Sequence, residues 1–174
     1  TGIITSFIHQ ENNKNSLPNT CVQTIMQDSD GKIWVGLKHG GISMLESEKE
    51  KKFINYSQAR GIPGTTTYGI VEDGHKNLWI STDYGIYVFE RNKNSFRSFD
   101  KSDGLQSLEF AMNAYYKDKD GFIYFGGSDG FNRFHPDSIH YNKHVPNVLI
   151  SSLKIFNQEI IPGKEQNGKV YFNK

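Results

Sequence analysis

The sequence predicts an all-β fold built from about three repeated units of four short antiparallel strands. Three observations carry this. The chain is turn-rich and aromatic, with 17 Gly, 9 Tyr and 12 Phe in 174 residues, a composition that favours strands and tight turns. Its key residues recur at a fixed interval: Trp34, Trp79 and Tyr124 are spaced by 45 and 45, as are Asp28, Asp73 and Asp118 and the glycines Gly40, Gly85 and Gly130. No segment between them holds a helical apolar period over ten residues, so almost no helix is expected.

The three units read "DSDGKIWVGLKHGGISML", "EDGHKNLWISTDYGIYVF" and "DKDGFIYFGGSDGFNRFH", the first with one extra glycine, assigned to Gly41. Upstream of each lies a shared stretch: "SLPNTCVQTIMQ", "GIPGTTTYGIVE" and "GLQSLEFAMNAYYK". The first strand of each unit is placed at 20–27, 65–72 and 109–117. The second is placed at 32–37, 77–81 and 122–126, alternating around the large aromatic. Turns rich in Asp, Gly and Asn join the first two strands. The third strand follows the glycine, at 42–46, 86–90 and 131–134. The fourth has the form Phe-x-x-aromatic, at 51–56 and 94–99, and no third copy of it follows "FHPDSIHYNKH". "IITSFI" at 3–8 reads as a degenerate copy from a preceding unit.

Four strands in a repeat of 40–50 residues is what a β-propeller blade needs. A single small sheet cannot bury both its faces. A flat indole on the second strand fills the wedge between adjacent blades, worth about 1.5–3 kcal/mol or more of burial apiece. The boundaries that follow are 1–16 for the end of a preceding blade, 17–61 and 62–104 for two blade repeats, 105–145 for a last, irregular one, and 146–174 for a separate segment.

Composition excludes some roles. Twenty basic residues against nineteen acidic give +1, which is not a nucleic-acid footprint or a polybasic membrane surface. The one cysteine, Cys21, forms no internal disulfide and does not decide the compartment. "NVLISSLKIF" is the longest apolar stretch, and it is too short and polar to span a bilayer. The chain opens on Thr1 without an initiator Met or signal peptide, so it is expected to be part of something longer.

"DSDG" and "DKDG" resemble half of a calcium loop. The motif recurs at one structural place without the Glu such a loop wants, so it reads as a turn in which Asp accepts a backbone N–H and Gly supplies φ > 0. His135, His140 and His144 suggest zinc, but Pro136 and Pro146 bracket them and argue against a helix that would converge them. They read as a polar connector, and no metal or cofactor is expected. A glycosidase or lyase needs convergent carboxylates or a Tyr/His base. Asp83, Asp129, Glu109 and Tyr68 could approach a funnel, but the acids differ from unit to unit and no catalytic motif is present. Phe53, Phe96, Phe99 and Trp79 sit at repeated inner positions and read as core.

In an up-and-down blade, the loop before strand one and the loop between strands two and three emerge on one face. Residues there that vary between units are free of the repeat's structural duty. They are Lys38, His39, Tyr68, Asp83, Tyr84, Glu109 and Asp129, the candidate ligand-binding residues. Tyr68 and Tyr84 could stack on a sugar, while the acids and His39 could bond hydroxyls.

The pattern GL(P)…D-x-x-G-x-Φ-W-Φ-G-T-x-x-G-Φ, clearest over 17–135, resembles the two-component regulator propeller repeat. Those repeats fill the extracytoplasmic sensor region of hybrid histidine kinases of Bacteroidetes. "VPNVLISSLKIFNQEIIPGKEQNGKVYFNK" is similar to the opening strands of the Ig-like domain that follows the last blade in that family. Tyr124 departs from the family's Trp. The resemblance implies a periplasmic sensor segment that recognises glycan-derived oligosaccharides and relays the signal to control polysaccharide-utilisation genes. It has no kinase motif of its own. A propeller scaffold binding protein, and a propeller lyase or glycosidase, are the alternatives. A final expectation concerns association: open blade faces and edges template pairing into a homodimer.

Overall fold

The computed structural model describes residues 4–56, 62, 66–139, 153–155, 158–160, 165–166 and 169–170. The chain divides into two units, Thr1–Ile139 and His140–Lys174.

The first unit holds three antiparallel sheets, each a meander. The first runs β1 (Val22–Gln27), β2 (Ile33–Leu37), β3 (Ile42–Ser47) and β4 (Lys52–Tyr56). The second runs β5 (Thr67–Glu72), β6 (Leu78–Thr82), β7 (Gly85–Glu90) and β8 (Ser95–Phe99). The third has β9 (Phe110–Lys117), β10 (Ile123–Gly127) and β11 (Gly130–Phe134), and no fourth strand joins it among the described residues. Among the described residues of this unit, the helical pieces are two 3-10 turns, Lys101–Asp103 and Pro136–Ser138. Residues 4–16 contribute no strand, only an isolated bridge from His9 to Leu17. In the second unit, β12 (Leu153–Ile155) pairs with β13 (Gln158–Ile160), and β14 (Glu165–Gln166) with β15 (Lys169–Val170).

The β1–β2 turn and its repeats are wider than two-residue hairpins. Asp28 N donates to Lys32 O and Gly31 N to Asp28 O, and Asp73 and Asp118 close the same way onto Asn77 and Phe122. The carboxylate also accepts two backbone N–H groups, from residues two and four ahead. Gly31 and Gly121 supply the positive φ, but in the second unit Lys76 does so at φ 65° and Gly74 does not. The repeated glycine also needs correcting. Gly41, not Gly40, is the counterpart of Gly85: a Cβ on Gly41 would lie 2.3 Å from Tyr56 O, and one on Gly85 2.5 Å from Phe99 O. The extra residue therefore lengthens the β2–β3 loop.

Side chains alternate across each strand. Trp34 sits opposite Met26 and Met44, Trp79 opposite Val71 and Val88, and Tyr124 opposite Tyr116 and Arg133. These define the indole face of each sheet. The reverse face carries Ile25 and Val35 in the first sheet, Ile70 and Ile80 in the second, and Tyr115 and Phe125 in the third. The indole face of the first sheet (Trp34, Ile42, Tyr56) packs on the reverse face of the second (Ile70, Leu78, Ile80, Phe89). That of the second (Val71, Trp79, Ile86, Val88) packs on Ile123 and Phe125 of the third. Both indoles are buried, at 1% and 2% exposure, and their rings meet the next sheet: Trp34 to Phe89 at 5.9 Å, Trp79 to Phe134 at 4.7 Å. The wedge role expected of the tryptophans is what they perform.

Sequence reading missed what holds each indole. Trp34 Nε1 donates to Asp28 Oδ2 at 2.8 Å and Trp79 Nε1 to Asp73 Oδ2 at 3.0 Å. Tyr124 keeps the arrangement through its hydroxyl, which donates to Asp118 Oδ2 at 3.0 Å. One aspartate thus closes the turn and satisfies the buried ring donor, which explains why the six-residue spacing recurs.

Two ties bind the sheets further. Arg91 of the second sheet reaches Asp28, Asp30 and Glu72, and Glu72 accepts from Ser29 N and Oγ of the first. Tyr115 of the third sheet lies over Gly69 of the second, where a Cβ would come within 2.5 Å of its ring, and its hydroxyl meets Thr24 Oγ1 of the first at 2.8 Å.

Candidate ligand face

One backbone rung recurs at the same end of every sheet. Lys38 N donates to Cys21 O, Asp83 N to Thr66 O, and Ser128 N to Glu109 O. The loop before the first strand and the loop between the second and third therefore share an end, as the up-and-down order requires. Lys38 and His39 stand exposed in the first loop, half-buried Asp83 and exposed Tyr84 in the second, and exposed Asp129 in the third, with Glu109 beside its rung. His39 holds φ 52°. Tyr84 is 63% exposed.

Of the seven candidates, the structure brings Tyr68, Asp83 and Glu109 into one electrostatic neighbourhood. Burial raises the Tyr68 phenol above its ordinary pKa, the charges of Asp83 and Glu109 push the same way, and a hydrogen bond with Thr66 opposes them. Lys38 and His39 belong to the loop of the first sheet. Asp129 stands in the loop of the third, where its N–H donates to Gln106 Oε1. Asp83 is not free of structural duty, because its Oδ1 accepts Thr66 N at 2.9 Å. His135 lies elsewhere and is held by Asp120 O and Asp137 N. His140 and His144 fall outside the described residues. Among the described residues no group of three His, Cys, Asp or Glu side chains is arranged to hold a metal ion.

The first strands also contribute, through bulges that repeat like the rungs. The β1–β2 register slips between Val22 and Thr24, leaving Gln23 extra, and the β5–β6 register slips between Thr67 and Gly69, leaving Tyr68 extra. In the third sheet, Gly127 pairs with Phe110 and Phe125 with Tyr115, so four residues face Gly126 alone and three are extra, with Asn113 at φ 60° and Met112 51% exposed. Bulges re-aim side chains beside functional sites. Two amide atoms on this side, Gln23 Oε1 and Gln106 Nε2, are buried without a partner among the described residues. Neither glutamine was a candidate. The longer "GLQSLEFAMNAYYK" was the one available signal, being two residues longer than its counterparts.

With the geometry in place, comparison with known proteins is specific. Residues 16–39 match the family model described as two component regulator propeller. Over that span the chain matches a two-component regulator propeller repeat. The repeat's turn, indole strand and rung residue Lys38 all fall inside the matched span. Histidine kinase P4 of Formosa agariphila is 31% identical over 109 residues, 63% of this chain and 8% of that protein. The extracellular domain of a hybrid two component system of B. thetaiotaomicron superposes with a TM-score of 0.62 at 25% identity, over 82% of this chain and 20% of that one. A second extracellular domain from B. thetaiotaomicron superposes at 0.60 with 22% identity, over 74% of this chain and 19% of that one, and shares the fold. The chain thus spans 8% of the curated relative and about a fifth of each solved domain. No helix among the described residues is long and apolar enough to cross a membrane.

Proposed function

We propose that this chain is a recognition segment of a periplasmic sensor region in a hybrid histidine kinase, and that it is non-catalytic. Its ligands are oligosaccharides released from glycans. Their binding is relayed to the kinase and controls polysaccharide-utilisation genes. The likeness to extracellular domains of hybrid two component systems supports the sensor reading. The observation that carries recognition is the gathering of Tyr68, Asp83 and Glu109 at the end of the sheets where the rungs lie, next to the exposed Tyr84. A phenol, an exposed ring and two carboxylates suit a polyol, because rings cover the apolar sugar face and carboxylates accept from hydroxyls.

Calorimetric titration of the complete extracytoplasmic region with purified oligosaccharides tests this. Binding by the parent, weakened at least tenfold by the pair Tyr84→Ala and Glu109→Gln, is the expected result. Equal binding by parent and variant would remove this face as the site. Turnover of a glycan by the same preparation would replace the sensor reading with an enzymatic one.

A further inference from the structure

We infer that the ligand face reads saccharide charge: at the seam between the second and third sheets it takes a sugar bearing a free amine and turns away uronate and sulfated sugars. This rests on the recognition reading above and names the class of ligand within it. The seam is built from main chain. Gly85 N donates to Leu108 O at 2.7 Å, so the second sheet's loop is bonded directly to the loop that enters the third. That bond sets Asp83 and Tyr84 beside Glu109. Tyr68 packs into the same seam, against the core that the two sheets share. After burial, the charges of Asp83 and Glu109 are what raise the Tyr68 phenol, so the three groups share one field.

The two ends of the sheets treat their carboxylates differently. At the turn end, Arg91 holds Asp28, Asp30 and Glu72, and Lys76 also holds Asp30. At the rung end, Asp83, Glu109 and Asp129 have no ion-pair partner among the described residues. Of the basic residues at this end, Lys38 and His39 belong to the first sheet's loop, and Lys101 shares its 3-10 turn with Asp103 and the capping Asp100. The seam therefore keeps an uncompensated negative charge beside an open ring, Tyr84 at 63% exposure. An ammonium group matches both: the carboxylates accept its charged hydrogen bonds, and the ring face attracts a cation. A carboxylate or sulfate on the ligand meets like charge and is repelled, which is discrimination by an unfavourable contact.

Saturation-transfer NMR on the complete extracytoplasmic region tests the inference, with glucosamine, glucose and glucuronate as probes at mildly acidic pH. The three share a ring and differ in charge, and at that pH the amine is protonated while the carboxylates are not. Glucosamine is expected to bind roughly fivefold more tightly than glucose, with glucuronate weakest, and the spread should shrink at high salt. Glu109→Gln keeps an acceptor in place but removes the charge, so it should bring glucosamine and glucose to within about twofold of each other. Asp137→Asn, at the turn end, should leave the preference unchanged. Glucuronate binding as tightly as glucosamine overturns the inference, and so does failure of glucosamine to bind. A preference that Glu109→Gln leaves untouched, or that Asp137→Asn alters as much, also overturns it. The recognition reading is judged separately, by the binding of neutral oligosaccharides in the calorimetric titration.

Discussion

Asp73 accepts the indole N–H of Trp79 at 3.0 Å while its other oxygen takes the backbone N–H groups of His75 and Asn77. Carboxylate and indole lie six residues apart and on either side of a turn, so each fixes the other. Asp73→Ala strips the acceptor from a buried ring donor and from two turn amides. The expected loss is about 2–4 kcal/mol, the range for charged hydrogen bonds whose buried partners are left unpaired. Urea unfolding measures it, and Asp73→Asn should lose less, because one amide oxygen still accepts.

Trp79→Ala removes the ring that lies against Phe99 and Phe134. The cost should be about 3–5 kcal/mol, as for other large aromatic truncations in cores. A change within about 0.5 kcal/mol of the parent would mean that the seam between the second and third sheets does not rest on this ring.

Acid dependence is readable at Asp118. Burial works against its ionisation, but hydrogen bonds from Tyr124, Phe122 N and Asp120 N and the charge of Arg133 outweigh it, so its pKa lies below the ordinary 3.8. A carboxylate lowered in the folded state contributes stability above its unfolded value, and that contribution is lost as pH falls through the folded value. Tyr124→Phe removes one of the lowering bonds. The Asp118 carboxyl should then titrate closer to 3.8 by carbon NMR, and the variant should be less sensitive to acid below that pH.

Gly69→Ala places a methyl against the Tyr115 ring and 2.9 Å from Ser81 Oγ. About 1–3 kcal/mol should be lost, as for overpacking elsewhere. Adding Tyr115→Ala should recover part of that loss, so the two changes will be non-additive in thermal or urea unfolding.

Tyr84→Ala separates binding from folding. The ring is 63% exposed, so stability should stay within about 0.5 kcal/mol of the parent. A larger drop in melting would assign Tyr84 a packing role instead.

The strands were legible because alternation and a 45-residue period are local signals. The predicted second strand at 77–81 and the observed Leu78–Thr82 differ by one residue at each end. The indole's place in the wedge was legible for the same reason. Its hydrogen bond was not: the shared Asp was visible, but a turn reading already explained it, and nothing in the spacing says that the second oxygen faces inward. The misassigned glycine has a similar cause. "HGG" offers two choices at one spacing, and only the approach to Tyr56 O separates them. At the candidate face, the convergence of Tyr68 with Glu109 depends on how two sheets stack, and the partnerless Gln106 Nε2 on a loop with no counterpart in the repeat.

The backbone rung has a consequence for how such a protein can diversify. It joins Lys38, Asp83 and Ser128 to the strand start through a main-chain bond that accepts any of these three very different side chains, with the Asp83 carboxylate adding a second bond from Thr66 N in its own unit. Scaffold and vocabulary are thereby kept apart: a point change at a loop tip alters what the surface presents without renegotiating the fold. A new specificity can be assembled one unit at a time, each step leaving a folded, selectable intermediate.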